Sequence, residues 1–248
     1  MKDKSEPDKA LEKIKNFWDK AAPRYAQDKI KDMVSYEKKL KKTQSYFNRN
    51  MNVLEIGCGT GMTGALHAPF VQEYVATDIS SQMVDLARKR AFDASVKNMK
   101  FEANSYNNLS IPDGSMDAVL AMSLLHLVQT PDDCLWMIHK KLRKAGLFIS
   151  STICLGDKMN FLKVVLPVMR FFGLALVGSV QFCKKDTLLD SFERNNFIIE
   201  YQWQPSDAKA CFVVAEVEKS AAATPAESAR AVVARRTCFV GFLILFPF

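Results

Sequence analysis

The sequence predicts an α/β fold, a largely parallel sheet covered by helices, and three observations predict it. From Val53 onward short strand-like runs alternate with helix-like ones, the pattern of a sheet whose strands are joined by crossover helices. The first strand runs straight into the glycine-rich turn Gly57-Cys-Gly59-Thr-Gly61. Near the end, Phe197–Gln204 and Cys211–Val217 lie only six residues apart around Pro205-Ser-Asp207. So short a link holds no crossover helix, which makes the last pair an antiparallel hairpin.

The elements follow in order. Residues 8–20 and about 33–48 carry apolar side chains at helical intervals (Leu11, Ile14, Phe17, Trp18; then Met33, Tyr36, Leu40), separated at Ala-Ala-Pro23. Val53–Ile56 is the first strand, followed by the glycine turn and a helix to about Phe70. Tyr74–Thr77 is the second strand, and its helix opens at the cap-like Ser80 or Ser81 and runs to about Ala94. Lys100–Glu102, Ala118–Ala121 and Gly146–Ile153 are further strands, with a helix from Pro131 to Leu142 before the last of them. Lys158–Val180 is apolar but interrupted by Lys163, Pro167 and Arg170, a poor membrane span. It reads either as a buried helix pair or as a greasy cap over a substrate site. From Ser220 an Ala/Pro/Ser linker leads to an apolar run of eleven residues beginning at Cys238, too short to cross a bilayer. Disorder, packing on the domain and a weak membrane anchor all stay open for it. The expected organisation is a helical lid segment over 1–50, a catalytic domain over 51–219, and a linker and tail over 220–248.

A chain of 248 residues with 48% hydrophobic composition buries one sizeable core. Its six cysteines form no CxxC pair and the N-terminus has no apolar signal core, so a reducing, cytoplasmic setting and ordinary thiols are expected, with no metal site. The net charge of +7 is an N-terminal feature: residues 1–50 hold 14 Lys/Arg against 8 Asp/Glu, and the rest holds 20 against 19. Much of it lies in Glu37-Lys-Lys-Leu-Lys-Lys42, either a solvated helix face or a surface for an anionic membrane or substrate.

The glycine turn needs residues that tolerate positive φ and close ligand approach. Its spacing does not name the ligand, because Gly59-Thr-Gly61-Met-Thr-Gly64 also satisfies the dinucleotide pattern GxGxxG of nicotinamide-dependent oxidoreductases. The setting is more specific. Glu55 stands just before the first glycine, where a carboxylate attracts an amino-acid ammonium, directly or through water, and repels a pyrophosphate. Asp78, at the end of the next strand, is able to accept both hydroxyls of a ribose, with capping of the following helix as its plainer reading. The closing hairpin is foreign to the usual dinucleotide-binding domain.

With these residues in place, the chain resembles the class I S-adenosylmethionine-dependent methyltransferases, the small-molecule and lipid branch in particular. The resemblance runs from about Phe17 to Val217 and is carried by Phe17-Trp-Asp-Lys-Ala-Ala-Pro-Arg-Tyr25, Leu54–Gly61, Ala76–Met83, Leu109–Asp117 and Leu142–Phe148. It implies a Rossmann-like seven-stranded sheet in the order 3-2-1-4-5-7-6 with strand seven antiparallel, and S-adenosyl-L-methionine at the carboxyl ends of strands one and two. By position it puts Glu55, Gly57, Cys58, Gly59 and Gly61 around the methionine part, Asp78 on the ribose, Ile79 and Met83 against the adenine, and Met122 near the sulfonium. Tyr25 is then a lid over the cofactor or a core aromatic. Many relatives carry an Asp after strand three for the adenine amino group; here Ala103-Asn-Ser-Tyr106 leaves Asn104 or Ser105 for it.

Methyl transfer from a sulfonium is an in-line displacement that asks for alignment and dryness before it asks for a base. His126, just beyond the fourth strand, is the candidate general base, against the plainer reading that it packs beneath the cofactor. The Asp/Asn-Pro-Pro-aromatic tetrapeptide of amino-methylating enzymes is missing from Ala121-Met-Ser-Leu124, and no RNA-binding appendage is present, which argues against nucleic acid and for a small-molecule or lipid acceptor with peripheral membrane contact as an option. A cofactor-binding module without catalysis is the remaining alternative. No sequence pattern speaks to oligomeric state.

Overall fold

A computed structural model of the 248-residue chain describes residues 6–128, 130–154, 184–205 and 210–218. Two helices, α1 (Glu6–Tyr25) and α2 (Met33–Gln44), precede β1 (Asn52–Ile56), α3 (Met62–His67) and β2 (Glu73–Asp78). Then come α4 (Ser81–Asp93), β3 (Met99–Ala103), β4 (Met116–Met122), α5 (Pro131–Lys141), β5 (Leu142–Ile153), α6 (Lys185–Arg194), β6 (Phe197–Trp203) and β7 (Ala210–Val217). The apolar stretch Lys158–Val180 and the tail from Ser220 lie outside the described residues. Among the described residues no helix is long and apolar enough to cross a membrane.

The seven strands form one sheet in the order β3-β2-β1-β4-β5-β7-β6. The first five pair in parallel, while β7 runs antiparallel to both β5 and β6. The class I order and the terminal hairpin expected from the sequence are both present. Central strands buried on two faces read as nearly continuous apolar runs, and Val53, Leu54 and Ile56 of β1 are essentially inaccessible. Alternate residues divide between two cores. Leu54, Ile56, Val119 and Phe148 pack against Leu135 and Ile138 of α5 and Phe192 of α6. Val53, Tyr74, Leu120 and Phe212 face the other side, where Ala87 of α4 and the aromatics Tyr46 and Phe47 cover them. Phe148 stacks on Phe192 at 5.2 Å between ring centres and meets Phe197 at 5.4 Å, a cluster whose truncation costs about 3–5 kcal/mol.

At the amino ends of the strands, Asp117 Oδ2 accepts the Asn52 amide at 2.6 Å while Oδ1 takes Arg143 at 2.7 Å. Asp113 holds Lys141 at 2.8 Å and Lys140 at 3.1 Å. The acids of the Leu109–Asp117 segment thus fix the register of β1, β4 and β5 at the end of the sheet away from the glycine turn.

Three boundaries differ from the sequence reading: α2 ends at Gln44 and not near residue 48, β5 begins at Leu142 and not at Gly146, and the end of α1 moves. Helix α1 continues through Pro23 to Tyr25 instead of stopping before Ala-Ala-Pro23. Pro23 has no amide to donate to the carbonyl four residues back, so the helix carries one missing bond in the turn at which it ends, two residues later. Ala22 beside it is fully buried, and its carbonyl accepts the Ala26 amide at 3.0 Å.

Candidate functional site

The carboxyl ends of β1, β2, β4 and β5 lie on one edge, and three positive-φ glycines follow β1 there. Gly57, Gly59 and Gly61 take φ of 70°, 53° and 73°, the left-handed region that side chains resist. The Cys58 amide reaches the Thr77 carbonyl at 2.9 Å, and the Gly59 amide reaches Asp78 Oδ2 at 2.9 Å, so the turn is sewn to the end of β2. Asp78 Oδ1 accepts the Ser80 amide at 2.9 Å, while Ser80 itself caps α4 by accepting the Met83 amide. Asp78 is therefore not the cap of that helix. Burial raises its pKa and the two amides oppose that rise.

Two adjoining cavities open on this edge. The smaller, of about 240 Å³, is bounded by Ile14 and Trp18 of α1, by Gly57 and Gly59, and by Asp78, Ile79 and Met83. Asn104 and Ser105 form its far wall. The larger, of about 830 Å³, is bounded by Glu55, Cys58 and Thr60, by Tyr36 and Lys39 of α2, and by Ser151, Ile153 and Trp203. Tyr25, Gly57, Gly59, Met122 and Ser123 line both. An added Cβ at Gly59 would meet only Tyr25 Cε1, at 3.8 Å, so the turn presents bare backbone.

Most residues singled out from the sequence stand on one of these walls, and two do not. Gly61 is packed against α4, where an added Cβ would lie 2.7 Å from Ala87 Cβ. Its glycine serves helix packing. His126 lines neither cavity: it is buried, its Nδ1 accepts the Ile153 amide at 3.4 Å, and burial drives its pKa down to about 4. The geometry supports its plainer reading as a packed, neutral ring.

Others stand on the cavity walls with their polar atoms already engaged. Glu55 Oε2 accepts the Tyr74 hydroxyl at 3.0 Å. Burial, with Asp78 adding to it and the Tyr74 bond opposing, lifts Glu55 to about 8, a neutral acid at pH 7 until a cation arrives. Cys58 is an inert thiol, raised well above its ordinary range chiefly by burial. Asn104 spends its oxygen on the Ser105 amide at 3.0 Å and its amide group on Glu102 at 3.0 Å, so the loop after β3 consumes the side chain offered for adenine.

Other residues were not singled out. Asp19 of α1 accepts the Ser80 hydroxyl at 2.7 Å and the Gln82 amide at 3.2 Å, pinning the lid helix to the start of α4. Burial works against its charge, but Lys15 at 2.6 Å with these donors holds it at about 2. Ser123 ends β4 at φ 61° with its amide on the Ser151 carbonyl at 2.7 Å. Part of the basic face of helix α2 is packed against aromatic rings and the cavity wall. Lys38 sits 4.1 Å over Trp203, Lys42 sits 4.5 Å over Tyr201, and Lys39 reaches into the larger cavity.

The profile of the family described as "Methyltransferase domain" matches residues 54–150, from β1 into β5. Residues 54–150 thus match a methyltransferase domain, on a sheet with the strand order expected of the class I S-adenosylmethionine-dependent enzymes. S-adenosylmethionine is the cofactor of this family, and this methyltransferase domain fits it: bare backbone at Gly59, a carboxylate at Asp78 and apolar walls at Ile79 and Met83. Among curated proteins it is 29% identical over 97 residues to "Uncharacterized methyltransferase YcgJ" of Bacillus subtilis (39% of this chain, 38% of that protein). It is 27% identical over 151 residues to "Ubiquinone biosynthesis O-methyltransferase, mitochondrial" of Schizosaccharomyces pombe (59% and 55%). The chain thus spans about half or less of the length of these two relatives. The crystal structure of YcgJ superposes with a TM-score of 0.62 at 16% identity, covering 74% of this chain and 100% of that one, which shows a shared fold.

Proposed function

We propose that this protein transfers the methyl group of S-adenosylmethionine to a small or lipophilic acceptor. The observation that carries the reading is the meeting of two cavities at Tyr25, Gly57, Gly59, Met122 and Ser123. One is shaped for a nucleoside and the other opens toward β5 and α2. The cofactor supplies a methyl carbon made electrophilic by a positively charged sulfur. In this reading Asp78 receives the ribose hydroxyls, Ile79 and Met83 hold the adenine, and Asn104 and Ser105 close its edge. The backbone at Gly57 and Gly59 lies along the methionine part, with Glu55 and Cys58 beneath it, and Glu55 regains its charge against the ammonium. Tyr25 covers the junction and Met122 borders the methyl group. These groups contribute by alignment and exclusion of water, effects worth several kcal/mol in a displacement of this kind. The ubiquinone-pathway name of the Schizosaccharomyces pombe relative is consistent with a small apolar acceptor.

Calorimetry with S-adenosylmethionine tests the cofactor half: saturable binding is expected, lost in Asp78→Ala and in Gly59→Val. No heat with the intact protein would overturn it. Release of S-adenosylhomocysteine over pooled metabolites and lipids tests the acceptor half; silence across a broad pool with cofactor still bound would favour a binding role over catalysis.

A further inference from the structure

The larger cavity has a chemical polarity of its own. Tyr36, Lys39 and Leu40, spaced i, i+3 and i+4 on α2, all stand on its wall. Lys39 Nζ donates to Ser151 Oγ at 3.2 Å, across 112 residues of sequence. No carboxylate lies within ion-pair distance of Lys39 among the described residues. Asp32 acts on it only at longer range and spends Oδ1 on the Ser35 amide at 2.9 Å. Lys29 and Lys31 with Asp28 and Asp32 also line this cavity and balance one another in charge. Lys39 is left as a cation on a cavity wall with a neutral hydroxyl for a partner, an arrangement that an anionic guest would complete.

Sheet order says which guest. Ser151 belongs to β5 and pairs with Met122 of β4, which in turn neighbours β1. Strands lie about 4.8 Å apart, so β5 stands roughly 10 Å from the strand that ends in the glycine turn. Asp78 lies in the opposite direction, on β2. Lys39 and Ser151 are thus on the acceptor side of the Met122 junction. Beyond them the wall turns apolar with Ile153 and Trp203.

We propose that Lys39 and Ser151 form an oxyanion clamp that selects acceptors carrying an ionised oxygen, a carboxylate or phenolate, on an apolar body lying against Ile153 and Trp203. The proposal rests on the methyl-transfer reading and names its substrate class. The acceptor enters as its conjugate base, its proton already released to solvent. As the oxygen–methyl bond forms, the sulfur–methyl bond breaks with its electron pair left on sulfur; an anion and a sulfonium become a neutral ester or ether and a neutral thioether. Lys39 keeps its proton throughout and acts by charge.

The test uses the full chain with S-adenosylhomocysteine bound and two probes of equal shape, octanoate and octanamide, followed by Trp203 fluorescence and calorimetry. Octanoate is expected to bind at least about tenfold more tightly than octanamide. Lys39→Met should erase that preference, Lys39→Arg should keep most of it, and the affinity for S-adenosylhomocysteine should stay within about twofold in both. A wild-type protein that binds no octanoate, or binds the two probes alike, overturns the clamp. So does a loss of S-adenosylhomocysteine affinity in Lys39→Met, which would assign the lysine to the cofactor's own carboxylate. Failure of S-adenosylhomocysteine to bind the wild-type protein is a separate result, and it would overturn the methyl-transfer reading itself.

Discussion

Asp19 and Ser80, sixty-one residues apart, share a hydrogen bond of 2.7 Å that joins the last turns of α1 to the first turn of α4. The Gln82 amide donates to the same carboxylate oxygen at 3.2 Å. A carboxylate at a helix start is favoured by the unpaired amides there. The tether therefore sets where Trp18 and Tyr25 stand over the smaller cavity.

Asp19→Asn keeps the shape but removes the charge, and hydrogen bonds to charged groups are worth about 1.5–3 kcal/mol. Cofactor affinity is expected to fall roughly tenfold while the melting temperature moves by only a few degrees, since α1 lies outside the sheet. Calorimetry and amide exchange along residues 6–25 check this; unchanged exchange would remove the tether from the account.

Two glycines separate backbone strain from crowding. Gly61→Ala forces a side chain into φ 73° and against Ala87, with a loss of roughly 3 kcal/mol or more. Gly114→Ala, at φ 68° with nothing within 4 Å of the added carbon, carries only the backbone cost of about 1–2 kcal/mol. Urea unfolding of the two variants should rank them in that order.

Glu55 gives a pH signature. Its pKa rises from an ordinary 4.5 to about 8 on folding. The folded protein holds a proton that the unfolded chain releases, so this contribution is fully present below pH 4.5 and is lost as pH rises through about 8. Glu55→Gln should flatten the fall in stability between about pH 4.5 and 8. Binding of S-adenosylmethionine at pH 7 should release a proton, measurable as buffer-dependent heat, and the variant should release none.

His67 acts in the opposite sense. It is fully buried against Phe47 at 5.3 Å, neither ring nitrogen has a partner among the described residues, and burial lowers its pKa from 6.5 to about 4. Between those values the unfolded chain is protonated and the folded one is not, so stability is complete above pH 6.5 and declines by up to roughly 3 kcal/mol toward pH 4. His67→Leu is expected to resist acid unfolding better than the parent, followed by circular dichroism across pH 4–7.

What could be read from the sequence was what local pattern determines. The apolar run of β1, the glycines before α3 and the short link at Pro205 each act over a few residues, and they led to the parallel sheet, its closing hairpin and the Glu55, Gly59 and Asp78 positions, while the full strand order came from the family resemblance. Side-chain direction after a strand was not legible. His126 lies four residues beyond β4, but Ser123 turns the backbone through a left-handed conformation and the Leu127 amide closes a turn on Leu124, which sends the ring toward the Ile153 amide. The engagement of Asn104 was hidden for a related reason, because partners within its own loop occupy its side chain. Asp19 with Ser80 and Lys39 with Ser151 meet only through helix packing, and no spacing rule spans those separations.

The place of β7 between β5 and β6 reaches back to the birth of the chain. Synthesis runs from the amino end, so β5 and then β6 leave the ribosome before the strand that joins them. Until Ala210–Val217 arrives, β5 offers an open border and β6, though packed on α6, lacks its strand partner among the described residues, the condition in which nascent sheets recruit foreign strands. The nascent domain passes through an unsealed interval whose length is set by translation speed across the segment from β5 to β7. Slowing elongation there should lengthen its dependence on chaperones, even though every bond of the finished sheet is unchanged.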